Sequence, residues 1–98
     1  VIGISDSGIS KQSCFFHDPD HDVIVTTVTP GQDQPDAQQP SQHRKIIQYI
    51  APAKTGNGLD DSGHGTHVAG TVAGKILTDP NGFAKYNGVA TDARIAFF

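Results

Sequence analysis

One segment constrains the fold of this chain more than any other, a helix predicted over His64 to Leu77. Val68, Val72 and Ile76 recur every four residues and place one apolar stripe along that helix. Small residues share the segment and let the helix axis approach a sheet closely, at some cost in helix propensity: Gly65, Ala69, Gly70, Ala73 and Gly74. The chain is therefore expected to contain a sheet against which this helix packs.

The two ends of the helix also carry signals. Ser62 or Asp61 is expected to cap the first turn, because a hydroxyl or carboxylate oxygen accepts a hydrogen bond from an unpaired backbone N–H. The sequence Asp79-Pro80-Asn81-Gly82 is typical of a turn and is expected to end the helix.

Four segments are predicted as strands: residues 1–5, 23–28, 45–50 and 94–98. The first has no polar alternation, which favours a strand buried on both faces of a parallel sheet. Thr26 and Thr27 give the second a polar side, as at a sheet edge. Because the helix lies between the third and fourth strands, it forms a crossover, and the predicted class is α/β with a parallel sheet.

The size of the chain limits what it can bury. Ninety-eight residues make one domain or part of one, and 36% are hydrophobic, which allows only a thin core. The sequence has no initiating Met and begins and ends on predicted strands, so a fragment of a larger domain is expected. Residues 30–42, rich in Pro and Gln, are predicted to form a surface loop insertion.

Charge and cysteine content exclude several classes of protein. The net charge is −3, with no basic stripe, which argues against nucleic-acid binding. No apolar run approaches the roughly 18 residues of a membrane span. Cys14 is the single cysteine and cannot form a disulfide within these residues, so its pairing stays open.

Asp6 is the first candidate functional residue, because it follows the first strand directly. Ligands and catalytic groups gather at the carboxyl ends of parallel strands. The alternative is an Asp that stabilises its own turn, Ser5-Asp6-Ser7-Gly8, through bonds to backbone N–H groups.

His64 is the second candidate, in the first turn of the helix. The positive end of the helix dipole disfavours an imidazolium there, and a His that is neutral near pH 7 can act as a general base. Such a base needs a carboxylate to orient its ring, and Asp6 is the natural candidate.

Other interpretations of these histidines stay open. His64 and His67 could share a metal, although zinc needs a third and usually a fourth ligand. Residues 17–22 could supply ligands, but a solvated acidic turn is favoured. His67 is expected to be a hydrogen-bonded structural histidine. Gly63-His64-Gly65 is a weak match to a phosphate-binding loop.

Three segments together resemble the subtilisin-like serine proteases, peptidase family S8. Residues 1–9 resemble the strand that delivers the catalytic Asp, and residues 62–70 resemble the His motif over a long and specific match. Residues 88–96 are similar to the entry of the next strand. Ser5 departs from the apolar residue usual in the family. The 58-residue separation of Asp6 from His64 suggests an insertion, with 30–42 as its source.

The resemblance implies that the chain is the N-terminal portion, over residues 1–98, of a three-layer catalytic domain. By the same resemblance, Asp6 orients the imidazole and His64 is the general base and acid of a serine-type endopeptidase. Its substrates would be proteins or peptides, and no cofactor is needed for catalysis, although structural calcium is compatible with the family. A secreted or extracellular location is also implied.

The resemblance implies a catalytic triad of Asp, His and Ser, and its third member, the serine nucleophile, is missing. The family's nucleophile sits in a Gly-Thr-Ser sequence that does not occur here, and all six serines precede His64. The nucleophilic Ser is therefore expected beyond Phe98, and the 98-residue chain alone is expected to be inactive. A non-catalytic relative of these proteases and an independent metal-binding module remain the alternatives.

Overall fold

The computed structural model of the chain describes residues 1–29, 31, 40–53 and 58–98. Most of the loop predicted over 30–42 lies outside these residues. The described residues form strands β1 (Ile2–Ile4), β2 (Val25–Val28), β3 (Ile46–Pro52) and β4 (Ile95–Phe97). They also form the helix α1 (His64–Ala73) and a short 3₁₀ helix (Phe83–Tyr86).

The four strands form one sheet in the order β1-β4-β3-β2, and every neighbouring pair is parallel. The last strand in the sequence thus lies between the first and the third, with Ile95 opposite both Ile2 and Ile46. β2 lies at an edge, as its threonines predicted. The α/β class with a parallel sheet is confirmed.

β1 differs from its prediction, because it lies at the other edge of the described sheet and is not buried on both faces. Gly3 is exposed and Ile2 is partly exposed. Its third residue, Ile4, is 9% exposed and joins the core. An unbroken apolar run therefore marked a parallel strand correctly, but did not determine its place within the sheet.

The core lies between the sheet, α1 and the segment that connects β1 to β2. Its largest fully buried side chains are Phe16, Phe97, Ile9, Ile46 and Ile95. The ring of Tyr49 packs edge-on against that of Phe97, with centroids 5.4 Å apart, and its hydroxyl oxygen accepts a hydrogen bond from the Ile9 N–H. Burial of each of these large side chains stabilises the fold by about 1.5–3 kcal/mol.

α1 ends four residues earlier than predicted, at Ala73. Gly74 leaves the helical conformation, and the Lys75 N–H donates to the Phe15 carbonyl, which belongs to another segment. Asp79, predicted within the turn that ends the helix, instead accepts hydrogen bonds from the N–H groups of Phe83 and Ala84 at the start of the 3₁₀ helix. The contact of Lys75 with Phe15, a residue distant in sequence, therefore ends α1 before the predicted turn over residues 79–82 is reached.

The packing face of α1 also differs from the predicted stripe. Its buried residues are the small ones, Gly65, Ala69 and Ala73, while Val68 and Val72 are partly buried against the core. Ile76 lies outside the helix. The small residues were predicted to bring the helix close to a sheet, but the closest contact at its glycines, that of Gly65, is with the turn after β1.

Candidate active site

Asp6 is held at the carboxyl end of β1 by the sheet itself. Its backbone N–H donates to the Phe98 carbonyl at 3.2 Å, and the Phe98 N–H donates to the Ile4 carbonyl at 2.8 Å. The ladder between β1 and β4 therefore continues to Asp6. The side chain is 18% exposed, and the Ser7 N–H donates to its Oδ1 atom at 2.7 Å.

His64 is the first residue of α1. The residue before it, Gly63, adopts φ 76°, a left-handed conformation that glycine takes without strain. The His64 N–H donates to the Ser62 hydroxyl oxygen at 3.1 Å. The His64 side chain is 71% exposed. This position places an accessible imidazole at the start of the helix.

The structure brings Asp6 and His64 together. Their Oδ1 and Nδ1 atoms are 2.7 Å apart, the distance of a strong charge-assisted hydrogen bond. Since a carboxylate only accepts, Nδ1 carries the hydrogen of this bond. In the neutral imidazole, Nε2 is then the basic nitrogen. A proton acceptor oriented by a carboxylate is what general-base chemistry requires.

The contact between Asp6 and His64 shifts the pKa of both side chains. The hydrogen bond from His64 is the main cause that lowers the pKa of Asp6, and the Ser7 N–H lowers it further. The hydrogen bond to Asp6 raises the pKa of His64, and the charge on Asp6 adds to that rise. The helix start was expected to lower the pKa of His64, but the adjacent Asp6 carboxylate raises it.

A close backbone contact lies behind the pair. A Cβ atom added to Gly65 would lie 2.1 Å from the Gly8 carbonyl oxygen and 3.1 Å from the Asp6 Cβ atom. Gly8 has φ 143°, and its own added Cβ would lie 2.9 Å from the Asp60 Cα atom. Gly8 and Gly65 are thus both required where the turn after β1 meets the start of α1.

Asp60 is a residue of this region that the sequence analysis missed. Its Oδ2 atom accepts hydrogen bonds from the Thr66 N–H at 2.8 Å and the Thr66 hydroxyl at 2.5 Å. Its Oδ1 atom accepts from the Ser7 hydroxyl at 2.8 Å and the Gly63 N–H at 3.0 Å. Desolvation favours a higher pKa for Asp60, but these hydrogen bonds lower it to about 2.

The start of α1 is capped by Ser62, one of the two predicted residues, and by Asp60, which was not predicted. Ser62 does accept the His64 N–H, but Asp61 accepts no hydrogen bond among the described residues, and Asp60 takes the Thr66 N–H. The Gly65 N–H donates to the Ser7 hydroxyl oxygen at 3.0 Å. The sequence did carry a signal for this cap, because Asp60 lies three residues before Gly63 and Thr66 lies three residues after it.

His67 differs from its prediction as well. Its side chain is exposed, and no hydrogen bond to its ring occurs within the described part of the chain. It lines a groove of about 500 Å³ beside α1, together with Phe15, Phe16, Thr66 and Tyr86. His67 does not contact the Asp6 carboxylate, which the structure pairs with His64.

Residues 17–22 are not simply a solvated turn. The Asp18 side chain is 6% exposed, and its oxygens accept hydrogen bonds from the N–H groups of Asp20, His21 and Arg44. Burial raises the pKa of Asp18, but these N–H donors lower it far more. His17, Asp20, His21 and Asp22 are exposed.

The described acidic residues do not fit a metal site. Within residues 1–29, 31, 40–53 and 58–98, no group of three or more His, Cys, Asp or Glu side chains could hold an ion. Calcium requires six to eight oxygen ligands. The oxygens of Asp18 and Asp60 are already bound to N–H and O–H donors, so these two carboxylates give no support to structural calcium.

Two further features complete the description of the surface. Cys14 is exposed and is a free thiol. In the part of the chain that the structure describes, no helix has the length and apolar character needed to cross a bilayer.

Comparisons with known proteins agree with this arrangement. The subtilase family (Peptidase S8) matches residues 1–98. Two similar proteins from Dictyostelium discoideum are the serine protease/ABC transporter B family proteins tagD and tagB, each 33% identical over the whole of this chain. A third, tagA, is 34% identical over 99% of it.

The extent of these matches is limited. The chain spans 5% of the length of tagD and 4% of that of tagB. No solved structure matches the chain. The family match nevertheless covers every described element, from the strand before Asp6 through the helix of His64 to β4. The chain belongs to the subtilase family.

Proposed function

We propose that this chain supplies the orienting carboxylate and the general base of a serine-type endopeptidase. The observation that carries the proposal is the 2.7 Å contact between Asp6 Oδ1 and His64 Nδ1, in a chain of the subtilase family. Membership of that family supports peptide-bond hydrolysis, with proteins or peptides as substrates. The proposed reaction uses no cofactor.

The mechanism follows from the two nitrogens of His64. Nδ1 donates to Asp6, so Nε2 of the neutral ring accepts the proton of a serine hydroxyl as its oxygen attacks the scissile carbonyl. The imidazolium formed is stabilised by the Asp6 carboxylate and then gives its proton to the leaving amine. The raised pKa of His64 suits that second step, because it favours the protonated ring.

The nucleophile in this proposal lies outside the 98 residues. No serine hydroxyl of the described chain hydrogen-bonds to the His64 ring, and Ser62 bonds instead to Ser7 and to the His64 backbone. We place the nucleophilic Ser in residues that follow Phe98, within a Gly-Thr-Ser sequence. Residues 1–98 would then form the N-terminal portion of the catalytic domain.

The test is an expressed protein that carries this chain with the sequence that follows it. We expect hydrolysis of casein and covalent labelling of a serine by a fluorophosphonate. His64→Ala should lower turnover about a millionfold, the loss caused by removing the triad histidine in subtilisin. His17→Ala is the matched control, because His17 is exposed and does not take part in the hydrogen bond between Asp6 and His64.

Two results would contradict the proposal. One is a protein without a downstream Gly-Thr-Ser sequence and without activity, which would identify a non-catalytic relative. The other is activity that His64→Ala leaves intact.

A further inference from the structure

A set of hydrogen bonds joins the two segments that carry Asp6 and His64 without touching the imidazole. We call Ser7, Asp60 and Thr66 the Asp60 clamp. Ser7 follows Asp6 directly, and Thr66 lies in the first turn of α1. Asp60 binds both, one with each carboxylate oxygen, at distances of 2.5–2.8 Å.

We propose that the Asp60 clamp positions Asp6 against His64, so that Ser7 and Asp60 are positioning residues of the site. This inference rests on the proposed peptidase function for its consequence in turnover. Its structural part, the orientation of the His64 ring, can be measured without catalysis.

The first step of the argument concerns Ser7. Its hydroxyl donates to Asp60 at 2.8 Å and accepts from the Gly65 N–H at 3.0 Å and from the Ser62 hydroxyl at 2.8 Å. A hydroxyl has one hydrogen and two lone pairs, so all of its hydrogen-bonding capacity is used. The neighbour of Asp6 is thereby tied to the neighbours of His64 on both sides.

The second step concerns Asp60. It accepts four hydrogen bonds from three residues, Ser7, Gly63 and Thr66, and these hold its pKa at about 2. The carboxylate therefore remains ionised over the whole range in which His64 titrates. It makes no hydrogen bond to the imidazole among the described residues, so it acts on the ring through the backbone that it holds and through its charge, which adds to the rise in the pKa of His64.

The third step concerns the sensitivity of the pair. The Asp6–His64 bond is the only hydrogen bond to the imidazole in the described part of the chain, and 71% of the His64 side chain is exposed. No other hydrogen bond in that part of the structure therefore fixes the ring. A displacement of about 1 Å in such a group can cost about 100-fold in rate.

The decisive variant is Ser7→Ala, because it removes the link without changing the charge. By NMR on the 98-residue chain, we expect the low-field signal of the His64 Nδ1 proton to weaken or disappear. The pKa of His64 should fall toward its ordinary value as the bond to Asp6 loosens. In an active protein that contains the chain, kcat should fall about 10- to 100-fold with KM unchanged.

Matched variants separate positioning from simple stability. Ser7→Thr keeps the hydroxyl and should restore both the signal and kcat. Asp60→Asn should change both readouts as Ser7→Ala does, whereas Asp61→Asn makes the same charge change at an exposed neighbour and should leave both unchanged. If Ser7→Ala fails to fold, Thr66→Val tests the same point by removing the hydroxyl that donates to Asp60 and that accepts a hydrogen bond from the Ser10 N–H.

The proposal is overturned if Ser7→Ala lowers the melting temperature but leaves the His64 titration and its Nδ1 proton signal unchanged. The clamp would then be a helix cap alone. Absence of peptidase activity would instead count against the proposed function, and the NMR readouts would still decide the role of the clamp.

Discussion

Gly65→Ala should separate Asp6 from His64 by adding one methyl group. The added Cβ would lie 2.1 Å from the Gly8 carbonyl oxygen, whereas carbon and oxygen atoms in contact are about 3.3 Å apart. The two segments must therefore separate by about 1.2 Å. If the whole displacement falls on the Asp6–His64 bond, its 2.7 Å becomes about 3.9 Å, beyond hydrogen-bonding range.

The expected change in stability combines two opposing effects. Overpacking costs about 1–3 kcal/mol, while replacing glycine by alanine in a helix contributes about 1 kcal/mol in favour of folding. The free energy of unfolding, measured by urea denaturation, should thus fall by about 0–2 kcal/mol. The NMR signal of the His64 Nδ1 proton should be lost even where the loss of stability is small.

Gly70→Ala is the matched control in the same helix. Its added Cβ would lie 4.0 Å from the Cζ atom of Phe16, which is an ordinary contact. This variant should gain up to about 1 kcal/mol and keep the Nδ1 signal. If Gly65→Ala behaves like Gly70→Ala in both measurements, the argument that backbone contact sets the Asp6–His64 distance is refuted.

Three further predictions concern single side chains. Asp6→Asn should lower the kcat of an active protein that contains the chain about 10⁴-fold, because the amide favours the wrong imidazole tautomer; a loss below tenfold in a casein assay would contradict its proposed role. Burial lowers the pKa of His43, and its Nδ1 atom accepts hydrogen bonds from two backbone N–H groups. The folded state therefore binds fewer protons than the unfolded state. The free energy of unfolding should therefore fall as the pH drops below 6.5, and less so in His43→Asn; equal urea midpoints from pH 7 to 5 would argue against this. Burial, with nearby positive charges, lowers the pKa of Lys45 from 10.5 to about 8. The free energy of unfolding should therefore rise between pH 8 and pH 10.5, by up to about 3 kcal/mol. A similar rise in Lys45→Met would exclude Lys45 as the cause.

The fold was largely predictable because its signals are local. Apolar runs at Ile2–Ile4 and Ile46–Pro52, and the helical spacing that begins at His64, lie in adjacent residues. The meeting of Asp6 with His64 also followed from general rules, since one residue ends a parallel strand and the other begins the crossover helix. Both predictions depended on patterns that a chain shows before it folds.

The rest of the site depends on contacts between distant residues. Ser7 and Asp60 are 53 residues apart, and no spacing rule relates them. The end of α1 at Ala73 is likewise set by the Phe15 carbonyl, which takes the Lys75 N–H. The direction of the His64 pKa shift was missed although Asp6 was named as the partner, because the helix dipole was taken to decide the charge of the ring.

The strand order has a consequence for when the pair can form during folding. Since β4 lies between β1 and β3, and β1 pairs with no other strand of the described sheet, β1 joins that sheet only after residues 95–97 have docked. The Asp6 N–H likewise gains its hydrogen-bond acceptor only when the Phe98 carbonyl is in place. During synthesis from the N-terminus, His64 would acquire its helix before Asp6 acquires its position. Cleavage of the chain just before β4 would then leave an intact histidine motif with no carboxylate to orient it.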